Sequence, residues 1–141
     1  MPDRSMNAKD IEWLDIPKLL DERGNLSFIE KVKDLRFDIK RAYWIYDVPG
    51  GEIRGGHAFN EQKEIIIALS GSFDVVLHDG LTSVHCHLNR SYKGLYVPEM
   101  YWRHMENFST NAVCLVLAST IYSKEDYIYD FDTFKNLTQK K

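Results

Sequence analysis

Between Asn25 and Ala118 the chain is a succession of apolar and β-branched runs, each stopped by turn-forming residues after four to eight positions. No other feature narrows the fold so far. Runs this short do not make helices with enough turns to pack, but they have the length of strands. Asn25 to Glu30 follows the turn signal Glu22-Arg23-Gly24, and Ile39 to Tyr46 alternates before stopping at Val48-Pro49-Gly50-Gly51. Glu64 to Leu69 is almost unbroken and ends at Ser70-Gly71-Ser72. Phe73 to Leu77 ends at His78-Asp79-Gly80, where Asp-Gly tolerates the positive φ that a tight hairpin requires. Thr82 to Leu88 places Val84, Cys86 and Leu88 on one face and Ser83, His85 and His87 on the other. Gly94 to Val97 and Ala112 to Ala118 complete the set. The expected fold is all-β, an antiparallel sandwich or barrel. Helix is expected only at the ends. Ser123-Lys124-Glu125-Asp126 has the form of a capping box, and Tyr127, Phe131 and Phe134 follow at helical spacing.

The 141 residues are the size of one domain, and no linker or repeat interrupts the stretch from about 11 to 137. A single domain over 1–141 is therefore expected, with the first residues and the Gln139-Lys140-Lys141 tail frayed. With 44% hydrophobic against 28% charged residues, a disordered chain is excluded. The net charge of −3 removes the general case for nucleic-acid binding. No apolar run approaches the roughly 18–20 residues of a membrane span, and the polar start Met1-Pro2-Asp3-Arg4 leads into no signal-like segment. Cys86 and Cys114 do not make a disulfide framework, so a reducing, cytoplasmic setting is expected.

The chemistry concentrates in Arg54-Gly55-Gly56-His57-Ala58-Phe59-Asn60-Glu61-Gln62-Lys63-Glu64, followed after six intervening residues by Gly71. On a strand His57 and Phe59 point the same way. The spacing is that of cupin barrels, in which a His-x-His pair is followed by Glu and then Gly. Here Phe59 stands at the second histidine, while Glu64 and Gly71 fall in place. In the second cupin block Pro98 is present, and Arg103 stands where a histidine is usual. His104 is adjacent, but a one-residue offset turns it to the opposite face. A catalytic metal needs three converging ligands and an open position. With Phe59 and the permanent cation Arg103 at two of those places, no metal is expected. Taken alone, His57 reads either as a structural side chain bonded to a carbonyl or as an acid–base group. His85 and His87 have no acidic partner nearby in sequence and read as solvent-facing, and His78 beside the turn reads as a surface residue. Alternation pairs Tyr43 with Ile45 and Trp44 with Tyr46, so one of these sets is available to the interior.

Several blocks then fall into one pattern: Arg41-Ala42-Tyr43-Trp44-Ile45-Tyr46, Arg54-Gly55-Gly56-His57-Ala58, Leu69-Ser70-Gly71-Ser72-Phe73-Asp74-Val75-Val76-Leu77, Gly94-Leu95-Tyr96-Val97-Pro98 with Trp102, Asn107-Phe108-Ser109 and Asp126-Tyr127-Ile128. Together they resemble the sugar-nucleotide 3,4-ketoisomerases of the WxcM-like cupin group, over about Asp21 to Lys135. The resemblance implies a cupin (jelly-roll) β-barrel with a short C-terminal helical segment, without metal or cofactor. It also implies a homodimer, usually one that exchanges N-terminal strands. The implied ligand is a dTDP-linked keto-deoxyhexose, whose keto group moves from C4 to C3 on the way to deoxyamino sugars of surface polysaccharides.

Carried over by position, His57 is the base or proton shuttle and Tyr43 a hydrogen-bond partner of a sugar oxygen. Arg41 and Arg54 are candidates for the diphosphate, and Phe59, Trp102 and His104 for the neighbourhood of the substrate. Three places depart from the family. Phe59 replaces its second histidine, Arg103-His104 its His-Glu, and Lys63-Glu64 its Glu-Gln. Altered chemistry would have Glu64 share proton transfer and Arg103 steady the enediolate. Two alternatives stay open at this point: an epimerase acting beside the keto group, and a nucleotide-sugar-binding cupin that no longer catalyses.

Overall fold

Alternation along the strands decides which residues meet inside. The computed structural model describes residues 10–30 and 36–139. In chain order the strands are β1 (Glu12–Asp15), β2 (Lys18–Leu19), β3 (Leu26–Ser27), β4 (Arg41–Tyr46), β5 (Arg54–Phe59), β6 (Glu64–Ser70), β7 (Phe73–His78), β8 (Ser83–Leu88), β9 (Lys93–Val97), β10 (Trp102–Glu106), β11 (Val113–Ala118) and β12 (Tyr127–Ile128). One five-stranded sheet has the order β1-β9-β6-β11-β4, the other β12-β5-β10-β7-β8, and β2 with β3 forms a small ribbon. Every pairing is antiparallel. The two sheets lie face to face as a jelly roll, and each buried apolar side chain between them contributes roughly 1.5–3 kcal/mol.

The shared core joins Ile66 and Ala68 of β6, Leu95 and Val97 of β9, and Cys114 and Val116 of β11 to Phe73, Val75 and Leu77 of β7, Leu88 of β8 and Met105 of β10. Val84 and Cys86 pack against it, on the face that alternation assigned them. The opposite face of the first sheet is also apolar. Ile65, Ile67, Tyr96 and Leu117 are buried there beneath Leu14, Ile16, Ile29 and Phe37, while Trp44 and Tyr46 remain more than half exposed at its β4 edge.

The expected turns form, for the expected reasons. Gly80 has φ +108°, and the Asp79 carboxylate accepts the backbone N–H groups of Leu81 and Thr82 at 2.8 and 3.0 Å. Gly71 (φ +66°) carries the chain from β6 in one sheet to β7 in the other. A Cβ at Gly71 would lie 2.8 Å from the Ala112 backbone. Gly71→Ala should therefore cost about 1–3 kcal/mol, read as a fall in thermal midpoint on the order of 5–10 °C.

The C-terminal segment differs from expectation. Lys124–Asp126 is a single 3₁₀ turn, and the Ser123 side chain makes no capping bond. Asp126 instead accepts the N–H groups of Glu61 and Gln62 at 2.8 and 3.0 Å. Tyr127 and Ile128 then pair with Phe59 and Ala58, so an edge position on β5 wins over helical spacing. The helix α1 (Phe131–Gln139) starts later and is capped by Asp130, whose carboxylate accepts the Thr133 N–H at 2.9 Å. Gln139 is its last residue rather than part of a frayed tail. The other ends expected to fray lie outside the described residues.

His85 and His87 do face outward, but carboxylates from neighbouring strands meet them. His87 Nδ1 is 2.6 Å from Asp74 and His85 Nε2 is 3.5 Å from Glu106. Strand pairing supplies partners that sequence proximity hides. His78 is half-buried, edge-on to Phe131 at 4.9 Å, because α1 lies over that end of the sheet. Among the described residues no helix is long and apolar enough to cross a membrane.

Candidate active site

Four strands deliver polar side chains to one end of the interior: Tyr43 from β4, Glu64 from β6, His57 from β5 and Arg103 from β10. His57 and Arg103 are direct cross-strand partners. Beyond them the register shifts, so that Met105 pairs with Arg54 and β5 carries an extra residue. Gly55 sits at that bulge with φ +76°, and any Cβ there would run into the Arg103 guanidinium. The glycine thus makes room for the arginine.

Arg103 has a side chain only 2% exposed. Its Nε and Nη2 donate to the two Glu64 oxygens at 2.9 Å each, a bidentate fork. Nη2 also donates to Tyr43 Oη at 2.9 Å and Nη1 to the Gly55 carbonyl at 3.1 Å. Glu64 accepts further bonds from Tyr43 Oη at 2.7 Å and Gln62 Nε2 at 2.8 Å. Gln62 in turn accepts from Arg41 Nη2 at 3.0 Å and Thr120 Oγ1 at 2.7 Å. A buried ion pair survives desolvation only when its remaining lone pairs and protons are satisfied in this way. Burial works against the Arg103 charge, but the Glu64 carboxylate outweighs it and holds the guanidinium above its ordinary range. Burial likewise pushes the Tyr43 phenol far up, so it stays protonated.

His57 stands beside this network. Its Nε2 faces Arg103 Nη1 at 3.4 Å, too long for a strong bond. A guanidinium only donates, so Nε2 is the nitrogen with the lone pair and Nδ1 carries the hydrogen. Nδ1 is buried without a partner. Phe59 and Tyr127 meet the ring edge-on at 4.9 Å each, and Tyr129 lies at 6.0 Å. Burial, helped by the Arg103 charge, lowers the His57 pKa from 6.5 to about 3. The imidazole is therefore neutral at pH 7. Because the folded value lies below the unfolded one, His57 leaves stability untouched above about pH 6.5 and erodes it as the pH falls toward 3. The kcat/KM profile, which reports the free enzyme, should show no step near pH 6.5. A limb there would mean a wet, ordinary histidine.

The structure brings together His57, Tyr43, Glu64, Arg103, Phe59 and Arg41. Phe59 is buried and faces inward, with its ring 5.5 Å from the Arg103 guanidinium carbon. The Arg41 guanidinium lies 4.9 Å from the Tyr43 ring centre and 5.5 Å from that of Tyr122, and its Nε is buried and unpaired. Arg54 is exposed at the start of β5, outside the cluster. Trp102 and His104, expected in the neighbourhood of the substrate, are not brought into this cluster. Both lie on the outer face of β10, because residues one away from Arg103 must point the other way. Trp102 packs under α1 against Phe131 and Phe134 at 5.3 and 5.9 Å, and His104 meets Glu106 at 3.0 Å.

Gln62, Thr120, Tyr127 and Tyr129 were missed. Gln62 lies two residues before Glu64, so the period of a strand could have found it. The alternation of Tyr127 and Tyr129 was masked by the helical spacing of Tyr127, Phe131 and Phe134. Among the described residues no three His, Cys, Asp or Glu side chains converge to hold a metal ion. Chemically, a neutral imidazole beside a fixed cation suits proton removal from a carbon next to a carbonyl, with the cation steadying the oxygen that gains charge.

Comparisons with known proteins bear on this chemistry. A family model described as WxcM-like, C-terminal (FdtA) matches residues 9–139. The chain is 39% identical over 127 residues to a TDP-4-oxo-6-deoxy-alpha-D-glucose-3,4-oxoisomerase of Aneurinibacillus thermoaerophilus, covering 90% of this chain and 91% of that one. A mutant form of QdtA, a 3,4-ketoisomerase of Thermoanaerobacterium thermosaccharolyticum, solved in complex with TDP-4-keto-6-deoxyglucose, superposes with a TM-score of 0.91 at 32% identity, over 94% of this chain and 96% of that one. Two Campylobacter jejuni structures match with TM-scores of 0.85. They are WlaRA, a TDP-fucose-3,4-ketoisomerase at 36% identity over 92% of this chain and 96% of its own, and WlaRB, a TDP-quinovose 3,4-ketoisomerase at 39% over 91% and 98%.

Proposed function

The chain belongs to the WxcM-like, C-terminal (FdtA) family, and from that membership we propose its reaction: it is a sugar-nucleotide 3,4-ketoisomerase that moves the keto group of a TDP-4-keto-6-deoxyhexose from C4 to C3. The observation that carries the reaction is the neutral His57 imidazole with its Nε2 lone pair next to Arg103 Nη1. Base and cation are adjacent, as are the carbon that loses hydrogen and the carbonyl that gains charge. His57 takes the C3 hydrogen and Arg103 steadies the enediolate oxygen. Hydrogen then arrives at C4 as the C3 hydroxyl becomes the new ketone. Glu64 holds the guanidinium in place and Tyr43 offers its hydroxyl to a sugar oxygen. Arg41, with its unpaired buried Nε, binds the diphosphate, and Arg54 assists from the rim.

Incubation with TDP-4-keto-6-deoxyglucose in deuterated water, followed by carbon NMR, tests the assignment. Migration of the ketone from C4 to C3 is the expected result. Deuterium uptake beside an unmoved ketone would indicate an epimerase, and binding without either change a non-catalytic protein. Arg41→Ala should raise KM on the order of tenfold or more with a smaller change in kcat, since a charged hydrogen bond contributes about 1.5–3 kcal/mol.

The chain acts as a homodimer in a reducing, cytoplasmic compartment. The doubly apolar first sheet, with Trp44 and Tyr46 exposed at its edge, supports a second copy as its cover. The free Cys86 and Cys114 support the compartment. Light scattering should return twice the 16.5 kDa chain mass, and Trp44→Asp should shift it toward a single chain. A monomer at micromolar concentration would overturn the dimer.

A further inference from the structure

The buried amide of Gln62 joins two parts of the site that the reaction uses separately. We propose that Gln62 is a positioning residue: it holds Arg41, the diphosphate group, and the Glu64–Arg103 pair at one fixed spacing, so that the anchored diphosphate sets where the sugar carbonyl meets the cation. This rests on the ketoisomerase assignment and deepens it.

Gln62 lies in the turn between β5 and β6 and is only 2% exposed. Asp126 fixes the backbone of that turn. Its carboxylate accepts the Glu61 and Gln62 N–H groups at 2.8 and 3.0 Å, and its carbonyl accepts the Asn60 N–H at 2.9 Å. The side chain is then held at both ends of its amide. Nε2 donates to Glu64 Oε2 at 2.8 Å, while Oε1 accepts from Arg41 Nη2 at 3.0 Å and from Thr120 Oγ1 at 2.7 Å. The neighbours dictate this orientation. A carboxylate only accepts and a guanidinium only donates, so a flipped amide would set oxygen against oxygen and N–H against N–H.

At one end the amide reaches the chemistry. Glu64 Oε2, its acceptor, also accepts from Arg103 Nη2 at 2.9 Å, and Glu64 Oε1 accepts from Arg103 Nε at 2.9 Å. Two parallel bonds make carboxylate and guanidinium one coplanar unit. Whatever fixes the plane of the carboxylate therefore also fixes Arg103 Nη1, the nitrogen 3.4 Å from His57 Nε2. At the other end the amide oxygen steadies Arg41, whose guanidinium also lies over the Tyr43 and Tyr122 rings. Arg41 takes the diphosphate and Arg103 the carbonyl, so the amide sets the interval between the two ends of the substrate. Such an interval matters, because a displacement of about 1 Å between reacting groups costs on the order of 100-fold in rate.

A double-mutant cycle on the full chain reads both ends. Gln62→Met keeps the length of the side chain and removes its amide. It should lower kcat for TDP-4-keto-6-deoxyglucose on the order of tenfold or more, and raise the calorimetric Kd for TDP about three- to tenfold. In an Arg41→Ala background the same substitution should change the TDP Kd by less than about twofold, since no guanidinium is left to position. It should still lower kcat there, because that effect runs through Glu64. A residue that merely stabilises the fold would lower the thermal midpoint without this dependence on Arg41. A Gln62→Met kcat within about threefold of the parent, or a loss of TDP affinity as large without Arg41 as with it, would overturn the proposal. Thr120→Val, which deletes the second donor to the same amide oxygen and leaves Gln62 in place, should lower kcat about three- to tenfold. An unchanged kcat in that variant would count equally against the proposal, even where Gln62→Met fails to fold. Arg41→Ala binding TDP as tightly as the parent would remove Arg41 from the diphosphate, and the inference with it. A parent chain that leaves the ketone at C4 would overturn the ketoisomerase assignment itself.

Discussion

Replacing His57 with asparagine should lower turnover of TDP-4-keto-6-deoxyglucose by about 10²–10⁴-fold. Asparagine keeps a polar side chain of similar reach but has no lone pair basic enough to take a carbon-bound hydrogen. No neighbour stands ready to take over. The ring is bounded by Phe59, Tyr127 and Tyr129, and its polar contact is a guanidinium that can only donate. Affinity for TDP should stay within about threefold, below 1 kcal/mol, because the proposed diphosphate contacts come from Arg41 and Arg54. Calorimetry with TDP and a coupled or NMR assay of ketone migration separate the two effects. Turnover within tenfold of the parent would remove His57 from the chemistry.

Removing Glu64 should have the largest effect on the fold. Glu64→Ala strands the fully buried Arg103 charge and deletes the acceptor shared by Tyr43 and Gln62, so a loss of about 3–5 kcal/mol is expected. For a chain of this length that corresponds to a fall in thermal midpoint on the order of 10–20 °C. The double variant Glu64→Leu with Arg103→Met should recover much of that stability, since apolar side chains of similar volume replace buried pairs at little cost. It should nevertheless remain inactive, because the cation beside Nε2 is gone. Thermal denaturation followed by circular dichroism, with activity measured on the same samples, gives both readings. A single variant as stable as the parent would mean that the ion pair is hydrated and carries far less than its burial implies.

Much of the architecture could be read along the chain because strand structure is local in its signals. The run from Thr82 to Leu88 carries its in–out assignment in its own alternation, and the structure buries Leu88 and packs Val84 and Cys86 inward as that pattern requires. Asp79-Gly80 needed only its own backbone preferences to make a turn. The start of α1 was harder. A capping pattern at Ser123 competed with a ladder position beside β5, and the ladder depends on a strand more than sixty residues away. Trp102 shows the same limit, since its family motif was visible but its face of β10 followed from Arg103 being the residue that points in.

The amino-acid order by itself determined the strand periodicity, the turns and the identity of the reactive groups, because each of these is set within a few residues. Only the tertiary structure decided what those groups became. It buried Arg103 against Glu64, which makes the arginine an anchored cation rather than a free one. It left His57 Nδ1 unpaired beneath aromatic rings and placed its Nε2 beside that cation. Proton affinity depends on solvent and on charges brought near by folding, and nothing along a single strand records either.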